Sequence, residues 1–449
     1  VDRVISALIP VWAKWAYQRD QLFQLQDNYE AAQPGRNRKA AMEPASANVA
    51  VERGGLSIMR QARALDQNHD IARGILNSLV NRVVGPQGIG VEFAPKNMDG
   101  SINRDMAKQL THRFEEWSKR PEVTKEMNRS RAERLLCRSW LRDGEVFNKH
   151  ILGDVRGFNH STDVPYSFEM LESDFVPMDL INERNNIRHG IETNAWGQRT
   201  AYYVLKQHPG EYGMYSMETK RVKAARMSHA RICDRIHQLR GVSIFASVLM
   251  RLQDIKDYEE SERVAARIAA AMAAYIRKGE AHMYTADSST GERHMKMQPG
   301  MVFDNLRPGE EIGTISHNRP NAQLGQFRSD MLKAAASGTG SQYSTVAKDY
   351  SGTYSAQRQE LIEQQSNYLV LTDDFIDQVT QPMVENFIRM EVTPERYDLT
   401  TIDRETLYDV EYQGPALPWI DPKKVAEGYL MLTRAVFQSK LKVIRSLGG

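Results

Sequence analysis

Residues 240–271 read RGVSIFASVLMRLQDIKDYEESERVAARIAAA, a long and nearly unbroken helical pattern. The pattern begins at Gly241 and runs to about Ala274, which at roughly 1.5 Å per residue predicts a helix on the order of 50 Å long. Its second half is rich in small side chains, which allow two helices to approach closely. Ala266 and Ala270 are therefore candidates for packing between subunits. An alanine-rich core helix inside one subunit is the equal alternative on these residues alone.

Segments of different character lie on either side of this helix. Before it, helical patterns at 57–84, 106–119 and 130–143 lead into short β-rich runs between 145 and 233, which predict a small sheet. After it, residues 275–320 return to short strands and turns. A helix at 324–336 and a second long helix from about 354 to 390, kinked at Pro382, complete the pattern. The alternation predicts an α+β fold.

The composition limits the class of protein. With 449 residues the chain is long enough for two or more subdomains. The 59 Lys and Arg residues nearly cancel the 57 Asp and Glu residues, so the basic excess of a protein that grips phosphates is missing. If DNA is the partner, this is a surface that DNA passes by rather than a clamp. Cys137 and Cys233 are the two cysteines, which excludes a disulfide framework and favours a reducing compartment. No apolar run reaches the roughly 18 residues of a membrane span.

The sequence offers no convincing nucleotide or acid–base site. Gly85, Gly88 and Gly90 superficially suggest a phosphate loop, but no Gly-Lys pair occurs anywhere in the chain, which argues against a P-loop ATPase. Asp373-Asp374 and Asp377 are paired carboxylates that more plausibly start a turn or cap a helix. We therefore predict no catalytic residue and no cofactor.

One group of residues has the spacing of metal ligands. His229, Cys233 and His237 stand four apart, so they would share one face of a helix. The stretch is instead typical of a strand in which Ile232 and Ile236 pack inward, and a fourth ligand is not evident. We predict a structural role and no metal.

Six stretches, taken in order, resemble the lambda-type family of phage portal proteins from about residue 60 to residue 439. They are QARALDQNHDIARGILNSLVNRVVG (61–85), LRDGEVF (141–147), the stretch 240–271 quoted above, MQPGMVFDNLRPGEEI (297–312), YSTVAKDYSGTYSAQRQELIEQ (343–364) and WIDPKKVAEGY (419–429). None is a catalytic signature, and several are only loosely specific alone. Their shared order carries the resemblance.

The resemblance implies a portal fold, with an α/β wing, long stem helices, a small β-containing clip and the start of a helical crown. The implied divisions are 1–240 for the N-terminal part of the wing, 241–274 for the first stem helix, 275–322 for the clip, 323–338 for the second stem helix, 339–353 for a channel loop, and 354–449 for a kinked wing helix and the start of the crown. Family members usually continue into further C-terminal helices, so we expect the crown to be truncated at Gly449.

The channel loop is the sharpest candidate for contact with DNA. Gly340 and Gly352 allow it to flex, and its other residues could meet the DNA backbone without reading bases, as passage of any sequence requires. The candidate contact residues are Tyr343, Ser344, Thr345, Lys348, Tyr350 and Ser351. From composition alone, an ordinary mobile surface loop is the alternative.

An acidic run in the first stem helix is a candidate channel collar that repels phosphates and keeps DNA from sticking. Its members are Asp257, Glu259, Glu260 and Glu262. A solvated helix face is the alternative.

In the clip, a mixed-charge β module suits docking to the terminase motor and then to an adaptor ring. Candidate docking residues are Lys278, Glu280, Arg293 and Lys296, and a solvent-exposed hairpin is the alternative.

By resemblance, the chain is expected to form a homo-oligomeric ring, a dodecamer, at a unique vertex of the virion capsid. The ring would serve as the conduit for double-stranded DNA in packaging with terminase, retention and ejection, and in head–tail connection. Terminase, a head–tail adaptor and the major capsid protein are the expected partners, with assembly in the host cytoplasm and no membrane. The protein itself should hydrolyse nothing. The alternatives are another connector or adaptor ring protein, or a packaging enzyme such as terminase.

Overall fold

The computed structural model describes residues 44–211, 218–270, 274–278, 310–314, 323–393, 396–415 and 422–440, together with Trp15 and Val443. At 268–270, 274–278, 310–314, 422, 424 and 425 the backbone alone is described. The chain divides into two compact units, 1–50 and 51–449. None of the described helices is long and apolar enough to cross a membrane.

The helices of the first half follow the apolar periodicity of the sequence. They are α1 (Ala47–Asn68), α2 (Asp70–Val83), α3 (Arg104–Ser118) and α4 (Arg129–Asp143). Asn103 and Asn128 cap α3 and α4, since each side chain accepts a hydrogen bond from a backbone N–H of the first turn.

The helix predicted at 57–84 is interrupted. His69 is extended, with φ −127° and ψ 113°, and divides the stretch into α1 and α2. The His69 ring Nε2 lies 2.9 Å from the carbonyl oxygen of Leu252, a residue distant in sequence. The break therefore depends on a tertiary contact that local periodicity does not contain.

Two antiparallel sheets occupy the segment in which one small sheet was predicted. The first has the order β3-β2-β8, and the second has the order β4-β5-β6-β7. The strands are β2 (Glu145–Leu152), β3 (Tyr166–Leu171), β4 (Ile187–Arg188), β5 (Ile191–Thr193), β6 (Arg199–Leu205), β7 (Thr219–Lys223) and β8 (Met227–Arg231). Both sheets contribute to one apolar cluster, which includes Phe147, Ile191, Tyr202 and Val222.

A larger core joins α2, α3 and α4 to the C-terminal helices. Trp117 is central to it, because its ring stacks on Tyr166 with centroids 5.1 Å apart and its Nε1 donates to the Tyr166 carbonyl oxygen at 2.9 Å. Phe114 and Phe387 pack edge to face at 5.1 Å in the same cluster. Strand β1 (Gly90–Phe93) closes this core by pairing antiparallel with β11 (Val410–Gln413).

Helix α5, in the segment predicted as the first stem helix, spans Leu249–Ala270 and is shorter than predicted. Its 22 residues correspond to about 33 Å rather than about 50 Å. Residues 242–248 are not α-helical. Val242 N–H donates to Ile232 O at 3.2 Å and Ile244 N–H to Leu141 O at 3.1 Å, while Ala246 and Val248 donate to residues three positions earlier, in turns. The predicted start at Gly241 was therefore wrong.

The elements after α5 follow the predicted order. β9 (Ala274–Lys278) pairs antiparallel with β10 (Glu310–Thr314), and α6 covers Leu324–Thr339. The long C-terminal helix runs as α8 (Tyr354–Phe375), a π turn (Ile376–Thr380) and α9 (Gln381–Val392). Pro382 sits in the first turn of α9, so the predicted interruption falls directly after the π turn. A last helix, α10, spans Pro422–Arg434.

Close approach of two glycines joins the end of α4 to the chain before α5. Gly144 has φ +88°, and a Cβ there would lie 2.2 Å from the carbonyl carbon of Val242. A Cβ on Gly241 would lie 2.0 Å from the carbonyl oxygen of Gly144.

We expect Gly144→Ala to lower the free energy of unfolding by about 3 kcal/mol or more, because backbone strain and a backbone clash combine. Gly153→Ala is the matched control, since Gly153 has φ +76° but nothing lies within 4 Å of the added Cβ. It should cost about 1 kcal/mol. Urea unfolding measures both, and equal losses would show that the close approach is not what requires glycine.

Candidate DNA-contacting segment

Residues 339–353 do not form one continuous loop. Helix α6 ends at Thr339, where Gly340 adopts the left-handed conformation that commonly terminates a helix. Ser341 and Gln342 are buried, and a short helix, α7 (Tyr343–Ala347), follows them. Half of the predicted channel loop is therefore packed into the protein.

The first three candidate contact residues are half-buried in α7. The Tyr343 hydroxyl lies 2.9 Å from Ser329 Oγ on α6, and the Thr345 hydroxyl donates to Gln342 Oε1 at 3.0 Å. The Ser344 backbone N–H donates to Glu360 Oε1 on α8 at 3.2 Å. These contacts join α7 to the helices before and after it.

The other three candidates lie together in an exposed tip, which we define as residues 348–353. Lys348, Tyr350 and Ser351 are all exposed, Tyr350 to 61%. Lys348 has φ +55° and caps the C-terminal end of α7, a position that usually holds glycine or asparagine. A lysine in this conformation costs about 1 kcal/mol, and strain of this kind gathers at functional sites.

The acidic run on α5 does not form a single exposed face. Glu262 is 4% exposed, and Glu259 Oε1 accepts from Arg328 Nε of α6 at 2.6 Å. Asp257 and Glu260 are exposed. At about 100° per residue, successive members of the run point in different directions around the helix, so only part of it can face a channel.

The small residues of α5 lie toward its C-terminal end. Ala266 is exposed, and the nearby Val264 is 44% exposed. Contact between α5 and α6 lies nearer the start of α5, where Tyr258 and Phe327 have ring centroids 4.8 Å apart. The exposure of Ala266 shows that it is not buried in the core of this chain, and packing between subunits stays a prediction. The side chain of Ala270 lies outside the described residues.

The clip candidates fall mostly outside the described residues. The backbone of Lys278 lies in β9, paired with Glu310 of β10. Glu280, Arg293 and Lys296 are not among the described residues.

The predicted strand around the possible metal ligands ends at Arg231, and Ile236 is 87% exposed, so the expectation that Ile236 packs inward was wrong. His229 lies in β8, where its Nε2 is 2.9 Å from Glu145 Oε2, and Cys233 is exposed. Burial lowers the pKa of His229 to about 4, so its ring is neutral at pH 7 and donates to Glu145.

Within the described part of the chain, a different group brings three possible ligand atoms within 4.8 Å: Glu172, Asp174 and His208. The Arg63 guanidinium lies 2.5 Å from Asp174 Oδ2 and 3.8 Å from Glu172 Oε2. The positive charge beside these carboxylates is therefore that of the Arg63 side chain.

The glycine-rich turn at 85–90 and the carboxylates at 373–377 were the other two motifs that the sequence analysis dismissed. Beside Gly88 lies the fully buried Glu133, whose Oε2 accepts from the Ile89 N–H at 3.0 Å, so the glycine-rich turn faces a carboxylate rather than a phosphate. Asp373 and Asp374 end α8 and Asp377 lies in the π turn, all three exposed.

A buried ion pair that sequence reasoning missed fixes the chain before α5. Glu145, at the start of β2, is 1% exposed and accepts from Arg240 Nε at 2.7 Å and from the Gly241 N–H at 3.0 Å. Burial alone would raise the pKa of Glu145, but Arg240 and His229 bring that pKa well below its usual range. Glu145 and Arg240 lie in two of the stretches that carry the family resemblance, 141–147 and 240–271. That resemblance was the sequence signal that could have identified the pair.

Arg240 extends this network into the second sheet. Its Nη1 donates to the carbonyl oxygens of Val176 and His189, both at 2.9 Å, and its Nη2 donates to Ser173 Oγ at 2.9 Å. One guanidinium therefore links β2, the loops around Ser173 and His189, and the approach to α5.

A family model described as phage portal protein, lambda family, matches residues 33–371. The chain belongs to this family. A "Probable portal protein" of Halomonas phage phiHAP-1 is 21% identical over 384 residues, which cover 82% of this portal chain and 72% of that protein.

Solved structures similar to this portal protein come from gene transfer agent (GTA) particles. One, "Neck of empty GTA particle computed with C6 symmetry", has a TM-score of 0.45 at 10% identity and covers 91% of this chain and 94% of the other. Another, "Neck of native GTA particle computed with C12 symmetry", has a TM-score of 0.42 at 11% identity and covers 86% and 91%.

We expect Arg240→Lys to lower the free energy of unfolding by about 3 kcal/mol, because an ammonium group cannot reach Glu145 and both carbonyls at once. Arg221→Lys is the matched control. Arg221 pairs in the same two-pronged way with Glu192, but its side chain is 46% exposed, so its stability should change little. Urea unfolding of both variants measures the difference, and equal effects would refute a special role for the buried pair.

Proposed function

We propose that this portal protein forms a homo-oligomeric ring, a dodecamer, at one vertex of the virion capsid, and that double-stranded DNA passes through its centre. The ring serves genome packaging with terminase, retention of DNA, ejection, and connection of head to tail. Family membership and the exposed tip between two helices support this proposal. The predicted order of divisions is retained, with α5 as the first stem helix, α6 as the second and the exposed tip in place of the longer channel loop.

The exposed tip is the observation that carries the DNA contact. It presents Lys348, Tyr350 and Ser351 together, one cation with an aromatic ring and a hydroxyl. Lys348 forms no ion pair with any residue that the structure describes, so its charge is available to a phosphate. Contacts of this kind position a DNA backbone and carry no sequence information, which suits passage of any genome.

The charge distribution of the chain suits weak contact with moving DNA rather than tight binding. The formal net charge is only +2, and Asp257 and Glu260 on α5 are exposed. In our proposal these carboxylates face the channel and repel phosphates, which weakens the counterion-releasing contacts that would otherwise hold DNA in place.

The partners follow from the same proposal. Terminase and then an adaptor ring dock on the clip, in which β9 and β10 form an antiparallel pair, and the major capsid protein surrounds the ring. Assembly takes place in the host cytoplasm. The motor supplies the energy, so rings purified free of terminase should show no ATPase activity.

We expect Lys348→Ala combined with Tyr350→Ala to leave ring assembly intact and to reduce packaged DNA several-fold, because the tip loses its cation and its ring. Lys220→Ala is the control, since Lys220 is also exposed and without an ion pair among the described residues. Genome content per particle, measured by quantitative amplification of protected DNA, separates the two. Wild-type content in the double variant would refute the tip assignment.

We expect Ala266→Phe to hinder ring assembly, because overpacking a close helix contact costs about 1–3 kcal/mol at each interface. Ala225→Phe, at another exposed alanine away from the stem, should assemble normally. The mass of the purified assembly measures the outcome. Rings of normal mass from Ala266→Phe would show that this alanine does not lie between subunits.

A further inference from the structure

Tyr343 connects the exposed tip to helix α6. Its hydroxyl oxygen lies 2.9 Å from Ser329 Oγ on α6 and 3.4 Å from Asp349 Oδ2 in the tip. The Lys333 ammonium, also on α6, lies 5.4 Å from the centre of the Tyr343 ring. A single side chain therefore contacts both the stem helix and the tip.

The direction of these hydrogen bonds follows from the available protons. An ionised carboxylate only accepts, so the single hydroxyl hydrogen of Tyr343 is donated to Asp349 and the Ser329 hydroxyl donates to Tyr343. Hydrogen bonds from the Ser351 side chain and backbone lower the pKa of Asp349, so its carboxylate stays charged at neutral pH. The result is a directed series from Ser329 through Tyr343 to Asp349.

Asp349 also shapes the tip around Lys348. Its Oδ1 accepts from the Ser351 N–H at 3.1 Å and from the Ser351 hydroxyl at 2.7 Å, a local turn of the kind that aspartate favours. On the other side, Gln357 Nε2 of α8 donates to the Tyr350 carbonyl oxygen at 2.6 Å. The residues that follow Lys348 are thus tethered, while the Lys348 side chain itself is exposed.

We propose that Tyr343 and Asp349 are positioning residues, which hold the backbone at Lys348 at a fixed place relative to α6 and do not themselves contact DNA. This inference rests on the proposed function and deepens it. Tyr343, predicted to contact DNA, is instead assigned to the residues that position Lys348. The tip is then a short, braced projection rather than a freely flexing loop. Bracing lowers the ordering entropy that Lys348 must lose each time a phosphate passes.

The inference has a direct test on the full chain, without DNA. Tyr343→Phe removes both hydroxyl bonds and keeps the ring beside Lys333, so the fold should be retained. We expect amide hydrogen exchange at residues 348–353 to be about fivefold faster, the factor that corresponds to one hydrogen bond of typical strength. Tyr354→Phe is the matched control, because Tyr354 is 50% exposed, close in sequence and outside this series of bonds. Its exchange at 348–353 should equal that of the wild type.

Two substitutions at Asp349 separate bracing from charge. Asp349→Asn keeps an oxygen that accepts from the Ser351 N–H, so its tip should exchange nearly as slowly as that of the wild type. Asp349→Ala removes every acceptor and should exchange faster than Asp349→Asn. Equal exchange in Tyr343→Phe and wild type, or in Asp349→Ala and Asp349→Asn, would overturn the inference.

Genome packaging then distinguishes failure of the inference from failure of the proposed function. If Lys348→Ala packages normally, Lys348 makes no functional contact with DNA. The positioning role is then wrong as well, whatever the amide exchange rates at 348–353 are. If Lys348→Ala is impaired but Tyr343→Phe packages like the wild type despite a loosened tip, the DNA contact stands and the positioning role is wrong. Impaired packaging in both, with normal packaging by Asp349→Asn, is the expected result.

Discussion

The carboxylate of Glu145 is almost fully buried, and five hydrogen-bonding atoms from four residues converge on it. They belong to Arg240, His229, Ser173 and the backbone of Gly241. A buried charge is tolerable only when it is saturated in this way, so the four partners cannot move independently. Because Arg240 and Gly241 begin the segment that leads into α5, this ion pair fixes the place from which that segment starts.

Local periodicity was sufficient to place many elements. The spacing of apolar residues in 106–119 and 130–143 predicted α3 and α4 within a few residues, since each helix buries one face and carries an asparagine cap. The same reasoning was wrong at His69 and at Gly241. There the His69 ring bonds to the Leu252 carbonyl and the Ile244 N–H to the Leu141 carbonyl, and contacts between residues so far apart in sequence leave no periodic signal. Local sequence predicts elements, and tertiary hydrogen bonds decide where they stop.

The candidate site was predictable in composition but not in geometry. Charge and flanking helices identified Lys348 and Tyr350, and both are exposed. Tyr343 and Glu262 have equally suggestive identities, yet one is tethered to Ser329 and the other is buried. Whether a hydroxyl or a carboxylate faces solvent depends on the rotation of its helix against its neighbours. A list of residue types does not contain that angle.

The pairing of β1 with β11 has a consequence for how the protein is made. Gly90 pairs with Gln413, and Phe93 packs against Phe387, so the N-terminal core is completed by residues near the other end of the chain. On the ribosome, the edge of β1 and the aromatic face beneath it stay uncovered until Phe387 and then β11 have been synthesised. Contacts this distant in sequence form slowly. The order of synthesis therefore leaves the fold of a subunit unfinished until β11 has left the ribosome.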